Sequence, residues 1–290
     1  MLTGVAVALA AALCWAIGVR LFYQLRGYWQ PAALAWIKSL IGAGFFLVYF
    51  AVLGRSVTDL SQETALGLLL SGAVGIALGD TALFMALYRL AERQTLLVAE
   101  TAAPVFVVIA AFLLLNERLS PLQLAAMILV LFGVDMVLGL RSARAEVDWV
   151  GVGWALLAAF CQMVGVLISR ALLVQTDLPA DLSGFWRILG ACLALPLWLW
   201  WRGAPLRPAR SMPLADLGLF LLAVFVGTFL GILGLQIAID LLPAGLAQTL
   251  MSTAVVFATL IAFFSGERIG ARQWSGTVIA VLGVGLLALS

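Results

Sequence analysis

The chain has 290 residues, of which 64% are hydrophobic and 10% are charged, and its formal net charge is +2. Soluble domains carry about 25% charged residues, so a water-soluble fold could not cover this much apolar surface. The small net charge and the dispersed arginines argue against a nucleic-acid surface. Because the chain has no histidine, His-based zinc sites and His-dependent triads are excluded. We expect no cofactor, no metal and no catalytic residues.

Polar breaks divide the chain into ten apolar runs, each close to the roughly 20 residues that a membrane helix needs. Pro31, Pro121 and Pro243 fall in the first turn of three runs, where a helix loses nothing from the missing N–H. The first run has no basic segment before it and is longer than a signal-peptide core, so we expect it to be a helix. The predicted spans are 2–23, 31–53, 64–88, 94–115, 121–140, 150–173, 180–201, 214–239, 243–265 and 270–289.

Arginines are concentrated at one side of the predicted membrane helices. Short loops rich in Lys and Arg stay in the cytoplasm. Only Arg55, Arg118 and Arg170 flank the connections after even-numbered helices. The bias therefore predicts that the odd connections are inside and both termini outside. The arginines at the odd connections, which define the odd-loop side, are Arg20, Arg26, Arg89, Arg93, Arg141, Arg144, Arg202, Arg207, Arg210, Arg268 and Arg272.

The two halves of the chain repeat each other. Five helices is an odd number, so a second copy enters the membrane from the opposite side, as in many secondary transporters. We therefore predict an all-α polytopic membrane protein with ten spans in two inverted five-helix repeats, residues 1–145 and 146–290. The matched pairs include Glu117 with Glu267, Arg118 with Arg268, Gln123 with Gln273, Cys14 with Cys161, Gly18 with Gly165, Gly75 with Gly227 and Gly79 with Gly231.

One segment in each half carries a further pattern: an apolar helix that ends in Glu, a short connection, and a next helix with a Gln near its start. The segments run from Ala103-Pro104-Val105 to Asn116-Glu117-Arg118-Leu119 and from Ala254-Val255-Val256 to Gly266-Glu267-Arg268-Ile269. With Lys38 and Arg187 seven positions into helices two and seven, they resemble ten-helix EamA-type members of the drug/metabolite transporter superfamily.

Two departures accompany this resemblance. Family members usually have Arg where this chain has Lys38, and the termini of many members are thought to be cytoplasmic, opposite to the charge bias. The resemblance implies transport of amino acids, other metabolites, nucleotide derivatives or toxic organic compounds, commonly as export, by a multi-pass protein of a bacterial-type inner membrane.

Three ionisable side chains are predicted to meet inside the bilayer, where charge is expensive and usually functional. Counting at 1.5 Å per residue places Lys38, Asp80 and Glu100 roughly 10 Å below the odd-loop surface, on three consecutive helices. We predict an ion-paired cluster that can bind and release protons as a coupling device. The alternative is a static pair of Lys38 with Asp80 or Glu100 that only fixes helix packing.

Arg187 lies seven residues into helix seven, toward the opposite surface, and the counterparts of Asp80 and Glu100 in its half are Ile232 and Leu250. Either its guanidinium holds a substrate carboxylate or phosphate, or it reaches an aspartate near its own end of the membrane. The candidate aspartates are Asp177, Asp181 and Asp240.

Neutral polar side chains and tryptophans complete the predicted pocket, with Trp15 and Trp186 as stacking walls. The alternative for the polar residues is hydrogen bonding between helices, and for tryptophans a place in the interface belt. Glu117 and Glu267 are predicted to hold the turns between helices. The polar candidates are Gln162, Gln236, Gln248, Ser252 and Thr253.

These features predict a secondary active transporter that works by alternating access, with export as the expected direction. Its partners would be the lipid bilayer, protons and a small metabolite, amino-acid-like or drug-like solute. The oligomeric state stays open. The alternatives are a passive channel, a non-transporting membrane assembly protein and a membrane-embedded enzyme. A channel would favour symmetric pore-lining charge, whereas the buried charge here differs between the halves, and an enzyme would need a catalytic set.

Overall fold

A computed structural model describes residues 1–90, 92–138, 148–202, 211–266 and 269–289. Regular structure within these ranges is entirely helical, which confirms the all-α prediction. In this described part of the chain, nine helices are long and apolar enough to cross a bilayer, and the fifth is a shorter apolar helix. The ten are α1 Leu2–Tyr28, α2 Pro31–Leu53, α3 Gln62–Arg89, α4 Glu92–Leu115, α5 Pro121–Leu138, α6 Trp149–Gln175, α7 Ala180–Arg202, α8 Leu214–Leu241, α9 Ala244–Phe264 and α10 Ala271–Leu289.

The ends of the helices follow from local sequence. Pro31 is the first residue of α2, and Gly54 closes that helix with a left-handed φ of 63°, a conformation that costs glycine little. The side chain of Asp148 accepts hydrogen bonds from the N–H groups of Val150 and Gly151 and so caps α6. The predicted spans therefore agree with the helices to within a few residues, although the predicted end at residue 140 lies outside the described residues.

Helix contacts repeat when the two halves are exchanged. In the first half α1 packs against α8 and α9, and in the second half α6 packs against α3 and α4. The contacts between α2 and α7 and between α5 and α10 join equivalent helices directly. This pattern is the one expected of two inverted five-helix repeats. The predicted boundary between residues 145 and 146 lies outside the described part of the chain.

Two close crossings use glycines that are repeat counterparts. A Cβ added to Gly18 in α1 would lie 2.5 Å from the Cα of Gly227 in α8, and one added to Gly165 in α6 would lie 2.8 Å from the Cα of Gly75 in α3. Small residues let membrane helices approach closely enough for extensive van der Waals contact. The repeated glycines therefore build two equivalent helix crossings.

Irregular turns occur at matching places in the two halves. A π-helical turn spans Ala73–Leu78 in α3, and another spans Val224–Leu230 in α8. Pro104 lies inside α4, and a turn at Ser252 and Thr253 interrupts α9. Pro104 lacks the N–H that would bind the carbonyl of Glu100. These turns lie beside the cavity described next, in keeping with the frequent occurrence of π-turns at functional sites.

Candidate functional site

A cavity of about 80 Å³, with room for several water molecules, lies among helices of both halves. Its lining comes from α1 to α4 and from α6 to α9. The remaining helices, α5 and α10, pack against each other and supply no lining residue, so Asp135 of α5 is not part of the wall. Seven side chains that sequence reasoning selected line this cavity: Trp15, Lys38, Asp80, Glu100, Gln162, Arg187 and Gln248.

The first half supplies an ion pair and a separate carboxylate. Lys38 Nζ lies 2.5 Å from Oδ2 of Asp80, and the lysine side chain is only 3% exposed. Glu100 does not share this pair: its Oε1 accepts a hydrogen bond of 2.9 Å from Nε1 of Trp15. Trp15 therefore acts as a hydrogen-bond donor that joins α1 to α4. The predicted cluster is present as a Lys38–Asp80 pair with Glu100 on the same cavity wall.

Arg187 lines the same cavity as Lys38, which corrects the expectation that it lies apart on the opposite side. Each residue starts roughly 10 Å below one surface, which leaves about 10 Å of a 30 Å hydrocarbon core between them, and two long side chains bridge that gap. Within the described residues Arg187 makes no ion pair with Asp177, Asp181 or Asp240. Asp181 is instead bound by Nη1 of Arg55 at 2.6 Å.

Gln236 and Trp186 lie outside the cavity, contrary to their predicted role in its wall. Gln236 Oε1 accepts a hydrogen bond of 2.8 Å from Ser183 Oγ, and Trp186 Nε1 donates one of 2.8 Å to the carbonyl of Val57. Successive helical residues point about 100° apart, so Arg187 can face the cavity while Trp186 faces the connection between α2 and α3. Both residues hold α7 to its neighbours.

Among the residues that the structure describes, two neutral polar side chains line the cavity, each with one atom that has no hydrogen-bond partner. They are Gln248, through Oε1, and Thr228, through Oγ1. Thr228 was not selected from the sequence, although it follows the repeated Gly227. By contrast, Ser252 and Thr253 donate to carbonyls of their own helix. No group of three metal-ligating side chains occurs within the described ranges.

Glu117 joins the two repeats on the even-loop side. Its Oε1 accepts from Nε of Arg170 and its Oε2 from the N–H of Ala244, both at 2.8 Å. Arg170 also donates to the carbonyl of Ile239 at 2.6 Å. This arrangement ties the end of α4 to α6, α8 and α9. Its predicted counterpart Glu267 lies outside the described residues.

The cavity combines a symmetric framework with asymmetric charge. Its lining contains four pairs of repeat counterparts: Lys38 with Arg187, Trp15 with Gln162, Ile76 with Thr228, and Asp80 with Ile232. Both carboxylates in this wall come from the first half. A polar site at the meeting of two repeats is where inverted-repeat transporters bind their solutes.

In the described residues, ten apolar helices, eight of which line a cavity with charged side chains, define a multi-pass membrane protein with the architecture of a solute transporter. A model of the EamA-like transporter family matches residues 2–139 and 149–289. An uncharacterized transporter of Archaeoglobus fulgidus is 30% identical over 288 residues, which cover 97% of this chain and 96% of the relative. The chain therefore belongs to the EamA-like transporter family, as the sequence resemblance implied, and is a membrane transporter.

The fold itself has a close match among solved structures. One crystal structure, described only as that of a protein, superposes with a TM-score of 0.80 at 20% sequence identity and covers 99% of this chain and 96% of its own. At that identity the likeness shows the fold alone.

Proposed function

We propose that this protein is a secondary active exporter of a small metabolite, amino-acid-like or drug-like solute in a bacterial-type inner membrane. The observation that supports it best is the cavity with walls from α1 to α4 and α6 to α9. In an inverted-repeat carrier one repeat tilts against the other, so a site between them opens to each side in turn. The two repeats would pivot against each other at the close glycine crossings Gly18–Gly227 and Gly75–Gly165.

Proton coupling through Glu100 is part of this proposal. The Glu100 side chain is 7% exposed and accepts a hydrogen bond from Trp15. Lys38, Asp80 and Arg187 face the same cavity, but Lys38 is engaged by Asp80 at 2.5 Å. Glu100 has no cation within ion-pair distance among the described residues, so a proton is the simplest charge that can neutralise it there.

Reconstituted liposomes test both parts of the proposal. Labelled amino acids and organic cations are screened with and without an imposed pH gradient, in the wild type, Glu100→Gln and Asp135→Asn. Asp135 is the matched control because it is a carboxylate within α5, away from the cavity. We expect gradient-driven transport to fall about 100-fold or more in Glu100→Gln, the lower end of the range for losing one positioned proton-transfer group, and to persist in Asp135→Asn.

The same assay separates the competing functions. A passive channel equilibrates the solute but does not accumulate it when a pH gradient is imposed. Equilibration without accumulation in the wild type would replace the carrier with a channel. Full gradient-driven accumulation in Glu100→Gln would remove proton coupling from this residue while leaving the carrier proposal in place.

A further inference from the structure

The two cations of the cavity occupy equivalent positions in the two repeats. Lys38 lies seven residues after Pro31 in α2, and Arg187 lies seven residues after Ala180 in α7. Their side chains are 3% and 2% exposed, and α2 and α7 pack against each other. A buried charge is costly unless an opposite charge compensates it. Each of these two equivalent cations therefore requires an anion.

Among the described residues that line the cavity, only the first repeat provides that anion on its third helix. Asp80 of α3 pairs with Lys38 at 2.5 Å. The equivalent position of α8 is Ile232, which also lines the cavity. The protein thus neutralises Lys38 by a direct ion pair with its own side chain, whereas the repeat-equivalent position in α8 carries an alkyl group and Asp80 reaches Arg187 only through a longer-range electrostatic attraction.

The surroundings of Arg187 leave its guanidinium facing the cavity. A Cβ added to Gly75 or Gly165 would come within 3.2 or 3.0 Å of its Nη2, so these two glycines make the space that the guanidinium fills. Its Nε has no hydrogen-bond partner among the described residues. The aspartate nearest to Arg187 in sequence, Asp181, forms an ion pair with Arg55 instead, with 2.6 Å between Oδ2 of Asp181 and Nη1 of Arg55.

We propose that Arg187 binds a carboxylate group of the transported solute, and that the Asp80 and Ile232 positions decide which of the two equivalent cations does so. Asp80 withdraws Lys38 from solute binding, and Ile232 leaves Arg187 available. The assignment rests on the proposed transport function and names its substrate class: a small solute with a singly charged carboxylate. Guanidinium and carboxylate can form two parallel charge-assisted hydrogen bonds.

Charge balance favours a carboxylate over a phosphate. Lys38 and Asp80 cancel, so the remaining charges of the wall are Arg187 and Glu100. A monovalent carboxylate at Arg187 together with a proton on Glu100, or with an ammonium group of the solute beside Glu100, leaves the cavity neutral. A dianionic phosphate would leave uncompensated charge in a low-dielectric site, which is disfavoured.

Binding to the purified full chain in lipid nanodiscs tests this inference without any transport step. The probes are acetate and benzoate, their neutral amides acetamide and benzamide, and inorganic phosphate, with thermal stabilisation as the readout. We expect the carboxylates to raise the Tm of the wild type and the amides to leave it unchanged. Equal effects of acid and amide, or a larger effect of phosphate, would overturn the assignment.

Three variants test the role of the repeat positions. Ile232→Asp supplies Arg187 with a partner, and we expect it to weaken carboxylate binding at least about tenfold. Ile232→Asn is the uncharged control of similar size and should weaken binding far less. The exchange of Asp80→Ile with Ile232→Asp frees Lys38 and should restore binding. Equal losses in the Asp and Asn variants, or a folded exchange variant that does not bind, would contradict the proposal.

The outcome can be separated from that of the transport assay. Carboxylate binding that responds to Ile232→Asp in a protein without gradient-driven flux would overturn the carrier and keep the anion site. Gradient-driven flux that is unchanged in Ile232→Asp would overturn the anion site and keep the carrier.

Discussion

Glu117 is the side chain whose loss should weaken the fold most directly, because it receives hydrogen bonds from both Arg170 and Ala244 of the second repeat at 2.8 Å. The Glu117 and Arg170 side chains are 15% and 14% exposed, so water competes little for them. We predict that Glu117→Ala lowers the free energy of unfolding by roughly 1.5–3 kcal/mol, the range for hydrogen bonds to charged groups. A lower Tm in detergent measures this loss.

Exchanging the two charges tests the geometry of this contact. Glu117→Arg with Arg170→Glu preserves the opposite charges, but the N–H of Ala244 then faces a guanidinium, which accepts no hydrogen bond. We expect the exchange to remain less stable than the wild type, and full recovery of the Tm would contradict this account. Arg55→Ala is the comparison, since Arg55 is 56% exposed in its pair with Asp181 and should matter less.

Asp148 predicts a dependence of stability on pH. Hydrogen bonds from the N–H of Gly151 and from Arg89 hold the pKa of Asp148 below its ordinary value. A carboxylate with a lowered pKa stabilises the fold above its ordinary pKa and loses that contribution as the pH falls through the lowered value. Asp148→Ala should therefore reduce the Tm at neutral pH, and the difference in Tm between the two proteins should shrink as the pH falls below the ordinary pKa of an aspartate.

Asp148→Asn is the matched control, because Asn also caps a helix start but lacks the charge that Arg89 binds at 2.9 Å. It should retain more of the Tm than Asp148→Ala at neutral pH. A Tm difference between wild type and Asp148→Ala that stays constant into acid would show that the carboxylate charge does not contribute.

At the scale of helices, the glycine crossings predict that one added methyl group lowers the stability of the protein markedly. Gly227→Ala in α8 would place a Cβ 2.5 Å from the Cα of Gly18 in α1, against backbone that cannot rotate away. Overpacking of this kind costs about 1–3 kcal/mol or more. We expect a clear fall in Tm and, because α1 and α8 belong to different repeats, slower transport.

Gly153→Ala is the control for this prediction. It lies in α6, and a Cβ there would meet nothing within 4 Å, so we expect an unchanged or slightly higher Tm from the better helix propensity of alanine. Equal Tm values for Gly227→Ala and Gly153→Ala would mean that the α1–α8 crossing is looser than the structure indicates.

For the whole molecule, the arginine bias predicts that both termini lie outside. A green fluorescent protein fused after residue 289 should therefore stay dark, while alkaline phosphatase at the same place should be active. A fusion within the connection after helix seven, near residue 205, is the internal control and should give the reverse. A fluorescent C-terminal fusion would instead support the cytoplasmic termini that the family resemblance implied.

Some features of the candidate site were accessible from local sequence and others were not. Lys38 and Asp80 pair because adjacent helices place them at one depth, which counting residues can estimate. The placement of Arg187 in the same cavity, and of Trp186 outside it, depends on how α7 is rotated against α3 and α6. Thr228 lies in the cavity wall on the π-helical turn of α8. The neighbouring repeated Gly227 was the only sequence feature that pointed to this turn.

The sequence alone predicted ten membrane spans in two related halves, and the described helices agree with the ten predicted spans. Hydrocarbon thickness sets the length of each span, and the need to satisfy backbone hydrogen bonds within each segment makes it a helix, so both can be derived locally. Only the tertiary structure decided which polar side chains share the cavity. Helix rotation and close approach at Gly18–Gly227 and Gly75–Gly165 arise from packing between distant segments, and these contacts bring Lys38 and Arg187 to one site.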